Sequence, residues 1–246
     1  SALYIPAVTP WLLLVFVILL TLFLSKVFHW SREVTGALLI ILPLGNTSFL
    51  GFPMTEALFG QQGMPYAVVY DQLGSFIALA TYATIVAAMY SSKVATPSLR
   101  DIVIKIVTFP SFIALILGLG LRGVALPDFA NSLISGLSLT LVPVVMVAVG
   151  FQLSFRFSRD EMGPMATALS IKLMLMPAVA WLFWSIFGQS GLVVDISVFQ
   201  AAMPPMISAG AIAIMAGLAP RLVSGVIGFG VLLALVTLPI VAWLLG

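Results

Sequence analysis

The chain has 246 residues, of which 62% are hydrophobic and only 7% charged, and its formal net charge is +2 at pH 7. A soluble domain carries about 25% charged residues, so a water-soluble globule is excluded and a polytopic membrane protein is indicated. The Lys and Arg residues are spread over connections with no basic stripe for nucleic acid, and the lack of cysteine excludes disulfides and Cys-ligated metals.

The opening SALYIPAVTPW has no basic stretch before its apolar run, so that run reads as a retained span, not a cleaved signal peptide. In chain order, eight apolar spans fit at about 8–28, 35–59, 65–90, 101–121, 129–153, 162–187, 193–217 and 221–245. Each has the roughly 20 residues a bilayer core needs. Turn signals such as Ser31-Arg32-Glu33, Pro127-Asp128 and Ala219-Pro220 separate them. Basic residues fall on one side of this pattern: Lys26, Arg32, Lys93, Arg100, Lys105, Arg156, Arg159 and Arg221 against Arg122 alone. The positive-inside rule then places both termini outside.

Two spans are interrupted near their middles. GNTSFLGFP, from Gly45 to Pro53, breaks the second, and AMPPMISAG, from Ala202 to Gly210, breaks the seventh. Lipid cannot satisfy the backbone groups that such a break frees, so it persists only where it lines an enclosed or watery cavity. A proline kink is the plainer alternative at either position alone. The pair favours a transporter, because matched broken helices mark the midplane site of inverted-repeat carriers. Pro53 suits the first turn of a restarting half-helix. The N-terminal N–H groups of that half-helix, from Gly51 onward, offer a seat for an anion. Asn46, Thr47 and Ser48 add side-chain donors and acceptors, and Pro204, Pro205 and Ser208 form the second break.

The ionisable residues inside spans are functional candidates because burying charge in a membrane is costly. Asp71, with its neighbour Gln72, is a candidate for a coupling proton or cation, or else an interfacial residue reached by water. Lys172 is placed to attract an anion or pair with Asp71, or else to snorkel toward an interface. No nucleotide loop, metal-binding helix or nucleophile elbow is present, so no enzyme activity, cofactor or metal is expected. Spans one to three and six to eight form an inverted pair, and spans four and five have no counterparts before the first. The organisation is therefore three plus five of a ten-helix plan. Its first repeat lies at 1–92 and its second at 93–246, the latter with scaffold helices in 101–153 and transport-unit helices in 162–245.

GNTSFLGFPMTEALFG resembles the broken-helix signature of the auxin efflux carrier family, and QAAMPPMISAGAIAIMAGLAPRLVSGVIGFG resembles that family's C-terminal helices. FPSFIALILGLGL, VPVVMVAVGFQL and KLMLMPAVAWL resemble the helices between. The resemblance implies an all-α inverted-repeat carrier without its first two helices. Small organic anions of the carboxylate class would bind where the two broken helices cross, with Asn46, Pro53, Pro204 and Ser208 at the family's site positions. The expected setting is the bacterial inner (plasma) membrane, with a homodimer allowed. Alternatives are a bile-acid-type sodium symporter and a truncated, non-transporting membrane subunit.

Overall fold

In a computed structural model of the chain, residues 3–91, 98–108, 110–121, 124, 126–152 and 161–246 are described. Lys93, Arg122, Arg156, Arg159 and the proposed repeat boundary at 92–93 lie outside them. The helices are α1 (Tyr4–Val27), α2 (Arg32–Ile41), α3 (Gly51–Phe59) and α4 (Gln61–Tyr90). Then follow α5 (Leu99–Val107), α6 (Pro110–Gly120), α7 (Asp128–Gln152) and α8 (Met162–Ile186). The last are α9 (Leu192–Ala201), α10 (Ile207–Met215) and α11 (Pro220–Leu245). Among the described residues, α1, α4, α8 and α11 are long and apolar enough to cross a membrane unbroken.

The chain divides into two compact units. One comprises Ser1–Pro97 with Leu153–Gly246, and the other Ser98–Gln152. The second unit holds α5, α6 and α7. Ser98 and Asp101 open α5 with a reciprocal cap: Ser98 Oγ donates to Asp101 Oδ2 at 2.6 Å and Asp101 N donates to Ser98 Oγ at 3.2 Å. Such a cap satisfies N–H groups that the first helical turn leaves free. The predicted span at 101–121 is two helices, because Pro110 cannot continue the hydrogen-bond ladder of the first.

The larger unit contains the three-plus-three set. Its centre is made of the short helices. Thr35–Ile41 of α2 and Ile196–Ala201 of α9 are buried throughout. Around them, α9 packs on α1, α4, α8 and α11, and α2 packs on α1, α4, α10 and α11. Lipid-facing helices lack this double coverage: α1 buries Leu13, Leu14 and Val17 but exposes Val15, Leu19 and Phe23.

Three helix ends meet on the side that carries Arg32. The Arg32 Nη2 donates to the Met89 carbonyl at 2.6 Å, near the end of α4, and its guanidinium lies 5.7 Å from the Tyr90 ring centroid. A cation there complements the negative end of the α4 dipole. Ser91 Oγ donates to the Ala216 carbonyl after α10 at 2.6 Å. Toward the other end, Tyr4 of α1 packs edge-on to Trp184 of α8, and Trp184 Nε1 donates to Thr9 Oγ1 at 2.9 Å. Trp11 ties α1 to α4, its Nε1 donating to the Leu73 carbonyl at 2.9 Å.

Candidate functional site

Both interrupted spans are broken, as their prolines imply. The first break begins earlier than the polar stretch alone suggests: α2 ends at Ile41 and α3 starts at Gly51. The cause is Pro43, which has no N–H to offer the Leu39 carbonyl four residues back. The Tyr82 hydroxyl of α4 donates to that carbonyl instead, at 2.9 Å. Gly51 and Pro53 consequently stand in the first turn of α3, downstream of the break. The second break runs between Ala201 and Ile207, leaving Ser208 in the first turn of α10.

The breaks pair with each other. Gly45 and Pro205 form an isolated antiparallel β-bridge. Asn46 N donates to the Pro204 carbonyl at 2.7 Å, and Met206 N donates to the Leu44 carbonyl at 2.8 Å. Each break thus satisfies backbone groups of the other, which is how irregular backbone survives at membrane depth. Within the first break, Thr47 N donates to the Gly45 carbonyl at 2.8 Å and Gly51 N to the Asn46 carbonyl at 2.9 Å. Gly230 of α11 backs the prolines closely, since a Cβ there would lie 3.0 Å from Pro205 Cδ.

Side chains converge on this crossover from three helices. Asn46 is 1% exposed, and neither its Nδ2 nor its Oδ1 has a hydrogen-bond partner among the described residues. Thr47 Oγ1 donates to Asp71 Oδ1 at 2.6 Å, and Gln72 Nε2 donates to Asp71 Oδ2 at 2.7 Å. Asp71 and Gln72 are buried in a π-helical turn of α4, Asp71–Ser75. Such wide turns recur at functional sites. Lys172 lies in another, Ile171–Leu175 of α8, and is also buried. Its Nζ would lie 3.3 Å from a Cβ on Gly45, and its hydrogen-bond partner is the Met176 Sδ at 3.5 Å.

These placements correct parts of the sequence reading. Asp71 is not an interfacial residue, because it is tied to Thr47 inside the crossover. Lys172 neither snorkels nor pairs with Asp71, and no ion pair joins the two among the described residues. Ser208 is half-buried and makes no hydrogen bond to these groups. Gln200 of α9 belongs with the site, although it was not among the expected binding residues. It is fully buried, its Oε1 lacks a partner, and its Nε2 approaches Thr55 Oγ1 at 3.5 Å. A polar amide four residues before Pro204, at membrane depth, was the signal for it.

The family described as membrane transport protein matches residues 3–242. The chain belongs to it. This is the family of the auxin efflux carriers, and its members are transport proteins, not enzymes. An uncharacterized transporter of Methanothermobacter thermautotrophicus is 28% identical over 212 residues, covering 86% of this chain and 66% of its own length. An uncharacterized transporter of Methanocaldococcus jannaschii is 27% identical over 195 residues, covering 77% of this chain and 62% of its own. The matches thus span slightly less than two thirds of each relative. The chain is an integral membrane protein, and the irregular backbone that interrupts two of its apolar segments lies at a crossover of buried polar groups.

Proposed function

We propose that this carrier is a secondary transporter of a small organic anion of the carboxylate class, bound at the crossover of its two broken spans. The observation that carries the reading is Asn46. Its side-chain amide is sealed from solvent at the crossing point with both polar atoms unpartnered. A buried polar group without a partner costs about 1–3 kcal/mol, and a ligand that hydrogen-bonds it removes that cost. The start of α3 and the Lys172 ammonium both lie beside the first break and favour negative charge there. Asp71, hydrogen-bonded to the same break, is the group for a coupling proton or cation.

Translocation in this proposal is an elevator-like or rocking movement of the larger unit, with the basic connections in the cytoplasm and both termini outside. The bridged breaks move as one body, because separating them would strand four backbone groups.

Purified protein in detergent, heated in the presence of mono- and dicarboxylates, tests the site. Carboxylates should raise the melting temperature of the wild type, and Asn46→Ala should abolish most of the increase. A wild type indifferent to every carboxylate, or an Asn46→Ala protein that responds fully, would refute the proposal.

A further inference from the structure

Two buried ionisable side chains bracket the first break, and neither faces a group of opposite charge among the described residues. The Lys172 ammonium sits at Gly45 with a thioether, a weak acceptor, as its hydrogen-bond partner. The Asp71 carboxyl sits at Thr47, two residues along, and its hydrogen-bonding side chains are Thr47, Gln72 and Ser48, all neutral. Because Gln72 turns its Nε2 to that carboxylate, its Oε1 is left buried with nothing to accept from. A buried ionisable group carries its charge cheaply only with a partner of opposite sign, so an acid and a base held apart by one short segment define two places for such partners.

We infer that the crossover takes a charge-balanced load: an anionic group at Lys172 together with a monovalent cationic group at Asp71 and the Gln72 Oε1. This rests on the carboxylate site proposed above and adds its second half. An anion bound alone would discourage ionisation of Asp71 across Gly45 and Thr47, whereas a cationic group at Asp71 lets the carboxylate and the anion be present together. A proton on Asp71 could reach the Gln72 oxygen only if that amide turned over and gave up its Nε2 bond, so an oxygen-seeking cationic group, which keeps both, fits better. One carboxylate supplemented by hydroxyl and amide oxygens suits a single positive charge, since divalent ions usually recruit several carboxylates. No cluster of three or more His, Cys, Asp or Glu residues occurs among the described residues.

The cationic group has two sources, a free alkali ion or the ammonium of a zwitterionic substrate, and one experiment separates them. Wild-type protein is held in N-methylglucamine buffer, whose cation is too bulky for the site. Its thermal stability is then followed with acetate or succinate, with sodium or potassium chloride, with both together, and with glycine or alanine. A free alkali ion predicts that sodium or potassium tightens carboxylate binding by about five- to 150-fold, the usual range for coupled sites. A substrate ammonium predicts that glycine or alanine alone stabilises the protein in N-methylglucamine chloride. In either case, Asp71→Asn and Lys172→Met, both close in shape to the originals, should each remove the effect.

Carboxylate binding equally strong with every cation, together with no response to glycine or alanine, would overturn the balanced load. If that binding were still lost in Asn46→Ala, the crossover anion site would stand without it. No stabilisation by any of these probes would overturn both.

Discussion

The Gln200 side chain of α9 lies directly over Gly51 of α3: a Cβ on Gly51 would stand 2.4 Å from the Gln200 Oε1. The two broken spans therefore touch at side chains as well as through their backbone bridge. Glycine is required at position 51 because Gln200 is fully buried and has little room to withdraw.

Gly51→Ala should accordingly destabilise the protein by about 1–3 kcal/mol, the usual cost of overpacking. Thermal unfolding in detergent measures it. Gln200→Ala in the same chain should restore much of the loss, because the three atoms nearest the added methyl all belong to that side chain. Equal losses with and without Gln200 would show that the alanine is resisted by something else.

Gly74→Ala should be the more severe substitution. A Cβ there would stand 2.0 Å from Pro10 Cγ and 2.5 Å from Pro10 Cβ, and a proline ring inside a helix cannot swing aside. The expected loss is at or above about 3 kcal/mol, the top of the overpacking range. The added methyl would also disturb the π-helical turn that carries Asp71, so poor expression or a low melting temperature is the expected readout. A variant as stable as the wild type would mean that α1 and α4 separate more easily than this contact implies.

Much of this architecture was legible in the chain. Pro204 and Pro205 remove two consecutive donors, and their pairing with a second interruption favoured a break over a kink, so the second break was readable from covalent chemistry. The first break begins ahead of the polar run Gly45–Ser48 because Pro43, inside an otherwise apolar stretch, already ends α2 at Ile41. Asp71 and Lys172 could be named from sequence but not oriented. Their direction depends on π-helical turns, which shift the face a residue presents and leave no mark in hydrophobic periodicity. Gln200 escaped the expected site for a related reason: its partner surface at Gly51 belongs to a helix nearly 150 residues earlier.

Thr47→Val tests the link between the first break and α4. The substitution keeps the shape of threonine but removes the hydroxyl that donates to Asp71 Oδ1 at 2.6 Å. A hydrogen bond to a charged group contributes about 1.5–3 kcal/mol, and the buried carboxyl would be left with Gln72 and Ser48 as its side-chain partners. Stability should fall by a comparable amount, and Asp71→Asn in the Thr47→Val background should lessen the loss by removing the charge. A double-mutant cycle measures this coupling. Strictly additive losses would mean that the two side chains do not depend on each other.

Asn46→Ala separates a binding role from a structural one. Most buried side-chain amides are hydrogen-bonded, so truncating them destabilises the fold. Here both amide atoms lack partners while the backbone of the same residue holds the bridge to Pro204. An alanine keeps that bridge and removes only the unsatisfied group, so unliganded stability should stay within about 1 kcal/mol of the wild type or rise. Carboxylate affinity should fall roughly five- to 150-fold, corresponding to about 1–3 kcal/mol of lost charge-assisted hydrogen bonding. Thermal unfolding without ligand and a carboxylate titration give the two numbers independently. A large loss of unliganded stability with unchanged affinity would make Asn46 part of the scaffold and refute the binding role proposed for it.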